Sequence, residues 1–580
     1  MNNTQTLKKK HNLLNETIFR IKTLFLITIR LVKNTIKPLK KFKQSYIEDD
    51  NSIIAFSESE LWNPFDTRDN WILTAGKIEN LRIAIKKLNG LKVSKNEIFS
   101  FWKHIGNPNF GKGYVVGREI REGCIVPTTA GGLCQLSNAL YDTALKANFE
   151  IVERHKHTKV IKGSLAEQDR DATVKWNYVD LQFKSSYDFT ISIEMNSDRL
   201  IVAFRANNLN DNTKSIPDDT TKLFQPSKLN DCYSCGNLTC FKHPKKSTKK
   251  EETSVTTYIL DEKWNEYDNY IKNKSADSDY FILPLKANKI FKTTRYSWSI
   301  KNYNNVRYTQ TKGIFRALKL RFASKNINLF ELNLTLDKEI AKKAAKMIPI
   351  ESTHIVVSQN LLPFLYETGV LGGRTFDVLM TRLPIENLHQ RLDEAFEKYS
   401  FSKTLKDFRA PYQIINNENK ALTKAQKIIT PHNEIAELFI NKSEKIEWLI
   451  PEKESPTNNQ NKILFPASAL GRKGAYEIKR LLKELKFDLL ISGNKVEEEN
   501  FWGNLNVEKF NGNFNNIGLI LYPTYIENQP RILLQALSRG IPIITTTASG
   551  LEASDLVTVI DVGDYNSFKT AVENHFKISK

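Results

Sequence analysis

The 580-residue chain has no apolar run long enough to cross a membrane. Near its N-terminus the longest such run, Leu24 to Ile29, is interrupted by Thr28 and lies between Lys22 and Arg30. A membrane-spanning helix needs roughly 20 apolar residues, and a signal peptide needs a longer apolar core followed by small residues. We therefore expect a cytoplasmic protein without a transmembrane span or a signal peptide.

Acidic residues are scarce in the first 45 positions, which hold 11 Lys or Arg against one acid, Glu16. Apolar residues recur there every three or four positions and predict a helix that Pro38 ends; they are Leu14, Ile18, Ile21, Phe25, Ile29, Val32 and Ile36. Basic amphipathic helices bind anionic membranes. We expect residues 13–37 to contact the inner face of the plasma membrane; the alternative is that the stripe packs on the protein's own body.

The chain also lacks internal repeats and any recognisable nucleic-acid-binding module. Few aromatic residues interleave with the basic residues of the tail, so the net charge of +20 does not indicate a nucleic-acid partner. Hydrophobic residues make up 40% of the chain, and its length exceeds what one core supports, so several domains are expected. The predicted regions are 1–45, 46–205, 206–252, 253–440 and 441–580.

Apolar strands alternate with helices in the last region, which predicts a parallel sheet covered on both faces. The predicted strands are Asn461–Pro466, Asp488–Ser492, Ile517–Tyr522 and Pro542–Thr546, and the predicted helices are Ala475–Leu485 and Arg531–Arg539. Ligands of such sheets bind at the carboxyl ends of the strands. The loop Pro523–Pro530 leads from a strand into a helix, where backbone amides and the helix dipole favour a phosphate.

The segment PTYIENQPRILLQALSRGIPIITT, residues 523–546, resembles the donor-binding signature of the group 1 family of GT-B glycosyltransferases. The turn GRKG at 471–474 resembles that family's Lys-Gly turn, and residues 430–432 resemble the end of a strand that lines the cleft between its lobes. The resemblance covers residues 253–580 and implies an α/β fold with two Rossmann-like lobes. It implies a retaining transferase that uses a nucleotide-sugar donor.

The same resemblance assigns roles to individual residues. Glu527 is expected to be the catalytic acidic residue at the donor sugar, and Lys473 to neutralise the diphosphate. Arg472, Gln535 and Gly540 are expected to help bind the donor. Because a fixed lysine stabilises the leaving diphosphate, no metal ion is expected for the transfer itself.

Several positions depart from the family's pattern. Asn528, Gln529 and Pro530 replace small glycines whose amides contact the donor, and Ser468 stands where the family has an arginine that Arg472 is expected to replace. Gln535 stands where the family has a second acid, and it offers a hydrogen bond without charge. Pro530 replaces a small residue near the donor and has no N–H to give. These departures leave three hypotheses open: an active transferase, a degenerate lobe that only binds, or a Rossmann-like domain for another phosphate ligand.

An earlier stretch has a separate fingerprint, formed by GKGY at 111–114, AGGLCQLSNALYDTALKANFEIVERHKHT at 130–158 and RDATVKWNYVDLQFK at 170–184. It is similar to the VanW family, which is named for an accessory protein of glycopeptide resistance clusters. The resemblance covers residues 75–195. It implies a mixed α/β domain in contact with the cell wall or a glycan.

Within this fingerprint, Cys134 lies at a glycine turn that opens an amphipathic helix. His155 and His157 fall on one face of a predicted strand, IVERHKH, and Asp171 follows in a loop. Cysteine, histidine and aspartate form the catalytic set of thiol acyl-transfer enzymes. A ligand-binding cleft and a purely structural role for a buried cysteine are the alternatives.

The polar region 206–252 contains a candidate metal site. Cys232, Cys235, Cys240 and His243 have C-x2-C-x4-C-x2-H spacing, and three thiolates with one imidazole complete a tetrahedral site for structural Zn2+. An iron–sulfur cluster and unrelated free cysteines are the alternatives.

Two functions compete for the whole chain. The first is a glycosyltransferase that moves a sugar from a nucleotide-sugar donor to a cell-envelope or surface-glycan acceptor, either a glycan or a lipid-linked molecule, with the VanW-like region in an accessory role. The second is a non-catalytic scaffold that binds an envelope glycan.

Overall fold

The computed structural model describes residues 13–36, 38–45, 52–63, 66, 68–121, 124–157, 165–206, 255–288, 294–323, 328–452 and 462–578. The chain divides into two compact units. The first unit comprises Met1–Val255, Pro349–Thr353 and Gly369–Arg374. The second unit comprises Thr256–Ile348, His354–Thr368 and Thr375–Lys580. It contains the predicted region 441–580 and most of the predicted region 253–440.

The first unit is a mixed α/β domain, as predicted. Its sheets have the strand orders β1-β9-β8-β2, β3-β7-β6 and β4-β5, and the pairings are antiparallel. Its elements are α1 Leu13–Ile36, β1 Ser52–Glu60, α2 Arg68–Leu88, β2 Lys92–Val93, β3 Ile98–Ser100, α3 Phe101–Ile105, β4 Val116–Arg121, β5 Cys124–Thr129, α4 Leu133–Lys146, β6 Glu150–Glu153, β7 Gln182–Lys184, β8 Phe189–Met195 and β9 Arg199–Ala206.

Aromatic rings form the centre of the first unit's core. Phe183 of β7 stacks on Phe99 of β3 at 4.7 Å between ring centroids, and Phe204 of β9 lies 4.9 Å from Phe189 of β8. Phe149, just before β6, stacks on Phe204 at 5.3 Å. These rings belong to strands of two different sheets. Their burial therefore holds the two sheets together.

Helix α1 forms as the apolar periodicity predicts, and its apolar stripe faces outward rather than packing on the protein's own body. Residues Thr23, Ile27, Arg30 and Asn34 are its less exposed positions. Arg30 donates to Glu153 at 2.7 Å and to Asp180 at 3.2 Å, which fixes one side of the helix to the unit. The stripe on the other side is exposed, with exposed fractions from 42% for Ile18 to 72% for Ile36. Among the described helices, none is long and apolar enough to span a membrane.

The second unit consists of two lobes with alternating strands and helices. The N-lobe elements are β10 Val255–Ile259, α5 Asn265–Lys274, β11 Tyr280–Leu283, β12 Val306–Tyr308, α6 Gln310–Arg321, α7 Leu329–Ala345, β13 Ser352–Ser358, α8 Leu362–Glu367, β14 Thr375–Leu379, α9 Ile385–Lys398, α10 Tyr412–Lys424, β15 Lys427–Thr430, α11 Asn433–Leu438 and β16 Ser443–Lys445. The C-lobe elements are β17 Lys462–Phe465, α12 Ala475–Leu485, β18 Leu489–Ile491, β19 Val507–Lys509, β20 Ile517–Tyr522, α13 Arg531–Ser538, β21 Ile543–Thr546, β22 Val557–Ile560 and α14 Tyr565–Ile578.

Strand order shows that both lobes are Rossmann-like. The C-lobe sheet has the order β19-β18-β17-β20-β21-β22, and its pairings are parallel. The N-lobe sheet has the order β12-β11-β10-β13-β14-β15-β16. Numbered within each lobe, both begin with the order 3-2-1-4-5-6 of the dinucleotide-binding fold. The predicted α/β fold class is confirmed.

The strand order reverses between β17 and β20, which places the loops after these two strands next to each other. Gly474 ends the turn after β17 with φ of 82°, and a Cβ there would lie 2.0 Å from the Pro523 carbonyl oxygen. The Tyr525 amide donates to the Arg472 carbonyl at 3.1 Å. Only a glycine permits this approach, which explains the second glycine of GRKG.

We expect Gly474→Ala to destabilise the protein more than Gly512→Ala. Both glycines have positive φ, which costs an alanine roughly 1–2 kcal/mol, but only Gly474 has backbone in the space of the added methyl group. Urea unfolding of the two variants measures the difference. Equal losses of unfolding free energy would contradict the close approach.

Candidate functional site

Lys473 and Glu527 form an ion pair at the carboxyl edge of the C-lobe sheet. Lys473 lies in the turn after β17, and Glu527 in the loop after β20. The Lys473 ammonium donates to the Glu527 carboxylate at 2.9 Å and to the Ile526 carbonyl at 2.7 Å. Tyr522, the last residue of β20, donates its hydroxyl to the same carboxylate oxygen of Glu527. The pair lies where the strand order reverses, the position at which ligands of such sheets bind.

The surroundings of the ion pair favour the charged form of Glu527. Burial raises the pKa of Glu527, but the charge of Lys473 and hydrogen bonds from Tyr522 and the Gln529 amide outweigh it, so its pKa lies below the ordinary value. Burial lowers the pKa of Lys473, and the attraction of Glu527 only partly restores it. Each charge is thus compensated mainly by the other.

Arg472, the neighbour of Lys473, has its side chain bound to the N-lobe. Its guanidinium forms an ion pair with Asp407 and lies over the Phe408 ring, 5.2 Å from the centroid. Burial raises the pKa of Asp407, and the charge of Arg472 counteracts this.

The other two predicted donor residues lie along and beyond α13. Gln535 is exposed, and no contact among the described residues links it to Lys473 or Glu527. Gly540 follows the C-terminal end of α13, the end opposite the Glu527 loop, and its φ of 71° explains the glycine. Their contacts with a donor stay predictions.

The start of α13 is anchored to the N-lobe. Arg531, its first residue, donates to both carboxylate oxygens of Glu266 at 2.6 and 2.8 Å. Glu266 is buried in the first turn of α5 and also accepts from the Leu449 amide at 3.2 Å. Bidentate pairs of this kind fix orientation as well as distance. The sequence did not single out these residues, because the partners are far apart in the chain.

His432 is a further residue of the site, in the segment predicted to line the cleft. It is buried after β15, and its Nε2 lies 3.3 Å from the Ala548 carbonyl oxygen of the C-lobe. Burial lowers its pKa, so the imidazole is neutral at pH 7. Its Nδ1 has no hydrogen-bond partner among the described residues. A Cβ on Gly550 would lie 2.5 Å from the ring, so that glycine makes room for it.

The corresponding position in the N-lobe is filled by the protein's own charges. Asp261 follows β10 and receives a hydrogen bond from Arg316, which also donates to Asp337 at 2.7 Å. Both partners of Arg316 are nearly buried. Of the two strand-order reversals, the one in the C-lobe thus carries the ionic pair predicted to bind the donor, whereas the other is closed by a structural network.

In the first unit, three of the four predicted residues come together. Asp171 is buried, and its carboxylate accepts from the His157 Nδ1 at 2.7 Å and from the His157 amide. The His157 ring also interacts with the Cys134 thiol, and these two contacts raise the pKa of His157 to about 10, although burial lowers it. Cys134 is half-buried in the first turn of α4.

His155 does not join this group. The predicted strand IVERHKH ends at Glu153, so His155 and His157 do not share a strand face, and that prediction is wrong. His155 is instead nearly half exposed, with its Nε2 3.4 Å from Glu153. Beyond β6 the chain is bound to the loop 171–173 instead, because the His157 amide donates to the Asp171 carboxylate and the Thr173 amide donates to the His155 carbonyl.

The predicted zinc ligands Cys232, Cys235, Cys240 and His243 lie outside the described residues. Within the described ranges, no group of three or more His, Cys, Asp or Glu side chains could hold a metal ion. The zinc site stays a prediction.

Residues 76–205 match the family model described as VanW like protein. This segment is a VanW-like domain. The uncharacterized protein YoaR of Bacillus subtilis is 28% identical over 154 residues, which are 26% of this chain and 50% of that protein. The vancomycin B-type resistance protein VanW of Enterococcus faecalis is 31% identical over 133 residues, 22% of this chain and 48% of that protein. The chain thus spans about half the length of these curated relatives.

Solved structures resemble the rest of the chain more distantly. Sucrose-phosphate synthase from Thermosynechococcus elongatus has a TM-score of 0.35 at 13% identity, over 56% of this chain and 90% of that one. Anabaena HepE in complex with UDP and glucose has a TM-score of 0.34 at 13% identity, over 56% of this chain and 91% of that one. The architecture of the two lobes rests on their strand order.

We expect Lys473→Met to lower the free energy of unfolding, because it leaves the Glu527 carboxylate buried without its cation. Adding Glu527→Gln should recover part of the loss, with a coupling of about 0.5–3 kcal/mol in a double-mutant cycle. The exposed pair Lys462–Glu508 in the same lobe is the control, and its coupling should stay below about 1 kcal/mol. Equal coupling in both pairs would contradict a special environment for Lys473.

Acid should weaken the Lys473–Glu527 coupling. The pKa of Glu527 in the folded protein lies below that of an unfolded chain, about 4.3. Its contribution to stability is therefore full above that pH and is lost as the pH falls through the lower folded-state pKa. Repeating the cycle at descending pH measures this loss.

Proposed function

We propose that the second unit is a glycosyltransferase that moves a sugar from a nucleotide-sugar donor, with retention, to a cell-envelope or surface-glycan acceptor. The observation that supports this most is the Lys473–Glu527 pair at the strand-order reversal of the C-lobe. The VanW-like domain would then act as an accessory in contact with the same envelope material.

Donor binding would exchange the partners of this pair. The diphosphate of the donor would take the Lys473 ammonium, which offsets the charge that builds up on the leaving group. Glu527 would then be free to accept from the sugar hydroxyls and to stabilise positive charge at the reacting carbon. The backbone amides of Asn528 and Gln529 donate to the Glu527 carboxylate. In the donor complex they would donate to the donor instead, just before the N-terminus of α13, where the helix dipole favours anions.

The remaining roles follow from position. Arg472 would supply a second cation for the diphosphate if it left Asp407. Gln535 would bind the donor ribose through its amide. His432, neutral and with Nδ1 unpartnered among the described residues, would face the reacting sugar from the N-lobe and accept one hydrogen bond at Nδ1, because Nε2 donates to the Ala548 carbonyl.

The competing proposal is an envelope-glycan scaffold without turnover. Pro530, which cannot donate, and the uncharged Gln535 favour it. The mutual compensation of Lys473 and Glu527 is compatible with either function, because a pair that never exchanged partners would serve only stability.

Nucleotide binding separates the two proposals. A ligand that binds only the folded state raises the melting temperature. We expect UDP, GDP or ADP, or one of their sugars, to raise the melting temperature of the wild-type chain but not that of Lys473→Ala. The control is Lys483→Ala, which alters an exposed lysine in the last turn of α12 and should keep the shift. No shift with any nucleotide would favour the scaffold.

Once a donor is found, Glu527→Gln should lower the transfer rate by about 100-fold or more, because it removes a charge placed at the reacting centre. An unchanged rate would show that the role given to Glu527 is wrong.

We further propose that α1 binds an anionic membrane on its cytoplasmic face. Its body-facing side is fixed by Arg30, and its apolar stripe faces outward, flanked by the exposed Lys22 and Lys33. Among the described residues nothing covers the stripe, and the flanking charges complement anionic headgroups.

We expect the full chain to sediment with vesicles containing phosphatidylglycerol and not with phosphatidylcholine alone. Phe25→Ser with Ile29→Ser should weaken binding by at least about tenfold, since each buried apolar side chain contributes about 1.5 kcal/mol or more. Ile440→Ser, which alters another exposed apolar side chain, is the control. Unchanged binding by the α1 variant would mean that the stripe has a different partner.

A further inference from the structure

The loop that carries Asp171 is attached to the helix that carries Cys134. Within α4, the Ser137 hydroxyl donates to the Ala172 carbonyl at 2.6 Å, and the Asn138 side chain accepts from the Ala172 amide at 2.8 Å. These bonds hold Asp171 beside the first turn of α4, although the two segments are far apart in the chain. A third segment joins them when the Thr173 amide donates to the His155 carbonyl at 2.9 Å.

Asp171 orients His157. Its two carboxylate oxygens accept from the Nδ1 and from the backbone amide of the same histidine, so the ring can neither shift nor turn freely. With Nδ1 engaged, Nε2 is the nitrogen left for another partner. The Cys134 sulfur lies 3.6 Å from the hydroxyl of Thr173, two residues after Asp171, which brings the thiol to the loop that holds His157, and the nearby thiol helps to raise the pKa of His157. An acid that fixes an imidazole beside a nucleophile is the geometry of acyl-transfer triads.

The helix start at Cys134 is built with close packing. Gly132 precedes α4 with φ of 101°, and a Cβ there would lie 2.1 Å from the Lys77 side chain. Lys77 is buried, and its ammonium donates to the Gln135 side chain at 2.8 Å, which fixes the first turn of α4. The first amides of a helix have no carbonyl one turn back, so they can donate to an oxyanion.

The group is open to solvent on one side. Asp171 has an exposed side-chain fraction of 2% and His157 one of 26%, whereas Cys134 is half-buried. Among the described residues, the Cys134 sulfur contacts the Thr173 hydroxyl at 3.6 Å, and the thiol donates to the Val174 carbonyl at 3.8 Å. A nucleophilic site needs a buried acid, a partly exposed base and an accessible thiol, which here are Asp171, His157 and Cys134. A purely structural cysteine needs none of these features.

We propose that Cys134, His157 and Asp171 of the VanW-like domain form a thiol acyl-transfer site that acts on an amide or ester carbonyl. This activity is independent of the glycosyltransferase proposed for the second unit. Cys134 and His157 are the catalytic residues, and Asp171 is a positioning residue.

The reaction has two balanced steps. In the first, His157 takes the proton of the Cys134 thiol, the sulfur forms a bond to the acyl carbon, the bond from that carbon to the amine or alcohol breaks, and His157 passes the proton to the leaving group. In the second, His157 takes a proton from water as the water oxygen bonds to the acyl carbon, the carbon–sulfur bond breaks, and His157 returns the proton to the sulfur, so that the carboxylic acid leaves and the thiol is restored. No oxidant, reductant or metal enters either step.

The pairing of thiol and imidazole is tested by alkylating the full chain with iodoacetamide. Peptide mass spectrometry measures the rate at which Cys134 is labelled. We expect His157→Ala to slow labelling of Cys134 by at least about tenfold, and His155→Ala, which alters the neighbouring imidazole that faces Glu153, to leave the rate unchanged. His157→Gln keeps a hydrogen bond to Asp171 and serves if the alanine variant does not fold. Equal rates in the wild type and the His157 variants would overturn the proposal.

A double-mutant comparison tests whether Asp171 acts on Cys134 through His157. Asp171→Asn should slow labelling in the wild-type background and have no further effect in the His157→Ala background, because it acts through His157. A merely structural role would instead slow labelling equally in both backgrounds.

Acyl transfer itself is tested with p-nitrophenyl acetate and with an acetyl-amide of p-nitroaniline. We expect a burst of about one p-nitrophenolate per chain, with the acetyl group found on Cys134 and absent from Cys134→Ser and His157→Ala. Turnover of the anilide would extend the substrate class from esters to amides. A reactive Cys134 that never carries the acetyl group would overturn the proposal.

Discussion

The candidate donor site depends on how closely two loops approach each other at the carboxyl edge of the C-lobe sheet. The turn after β17 can lie against the loop after β20 only because Gly474 has no side chain to meet the Pro523 carbonyl. With that approach, Lys473 reaches Glu527, and the backbone of Arg472 accepts from Tyr525. Without it, the two charges would lie on separate loops at the edge of a sheet, each with its own solvent shell.

Charge compensation explains why the two lobes differ. Both have a strand-order reversal, but Arg316 fills the one in the N-lobe between Asp261 and Asp337. In the C-lobe, Lys473 and Glu527 compensate each other directly, at 2.9 Å. Glu266 and Arg531 then connect the lobes at the start of α13, and His432 reaches the C-lobe from the other side of the same edge.

In the VanW-like domain, contacts between segments distant in the chain also bring the candidate site residues together. Its α4 holds the loop of Asp171 through Ser137 and Asn138, and that loop holds His157. The domain also carries α1, which is fixed to it by Arg30 and turns its apolar side outward. One chain thus contains a sheet edge that we propose binds an anionic donor, a cysteine close to an oriented imidazole, and a helix that we propose binds an anionic surface.

The sequence alone determined the elements and their chemistry. Helix periodicity predicted α1 to within a residue at its start, and apolar runs bounded by glycine and proline predicted the closing strands, because both signals are local. The motifs also named Lys473, Glu527, Cys134, His157 and Asp171. Only the tertiary structure decided which of them meet, because strand order and pairing join segments distant in the chain. That is why it separated His157 from His155 and brought Glu266 to Arg531 of the C-lobe, neither of which the spacing of residues along the chain encodes.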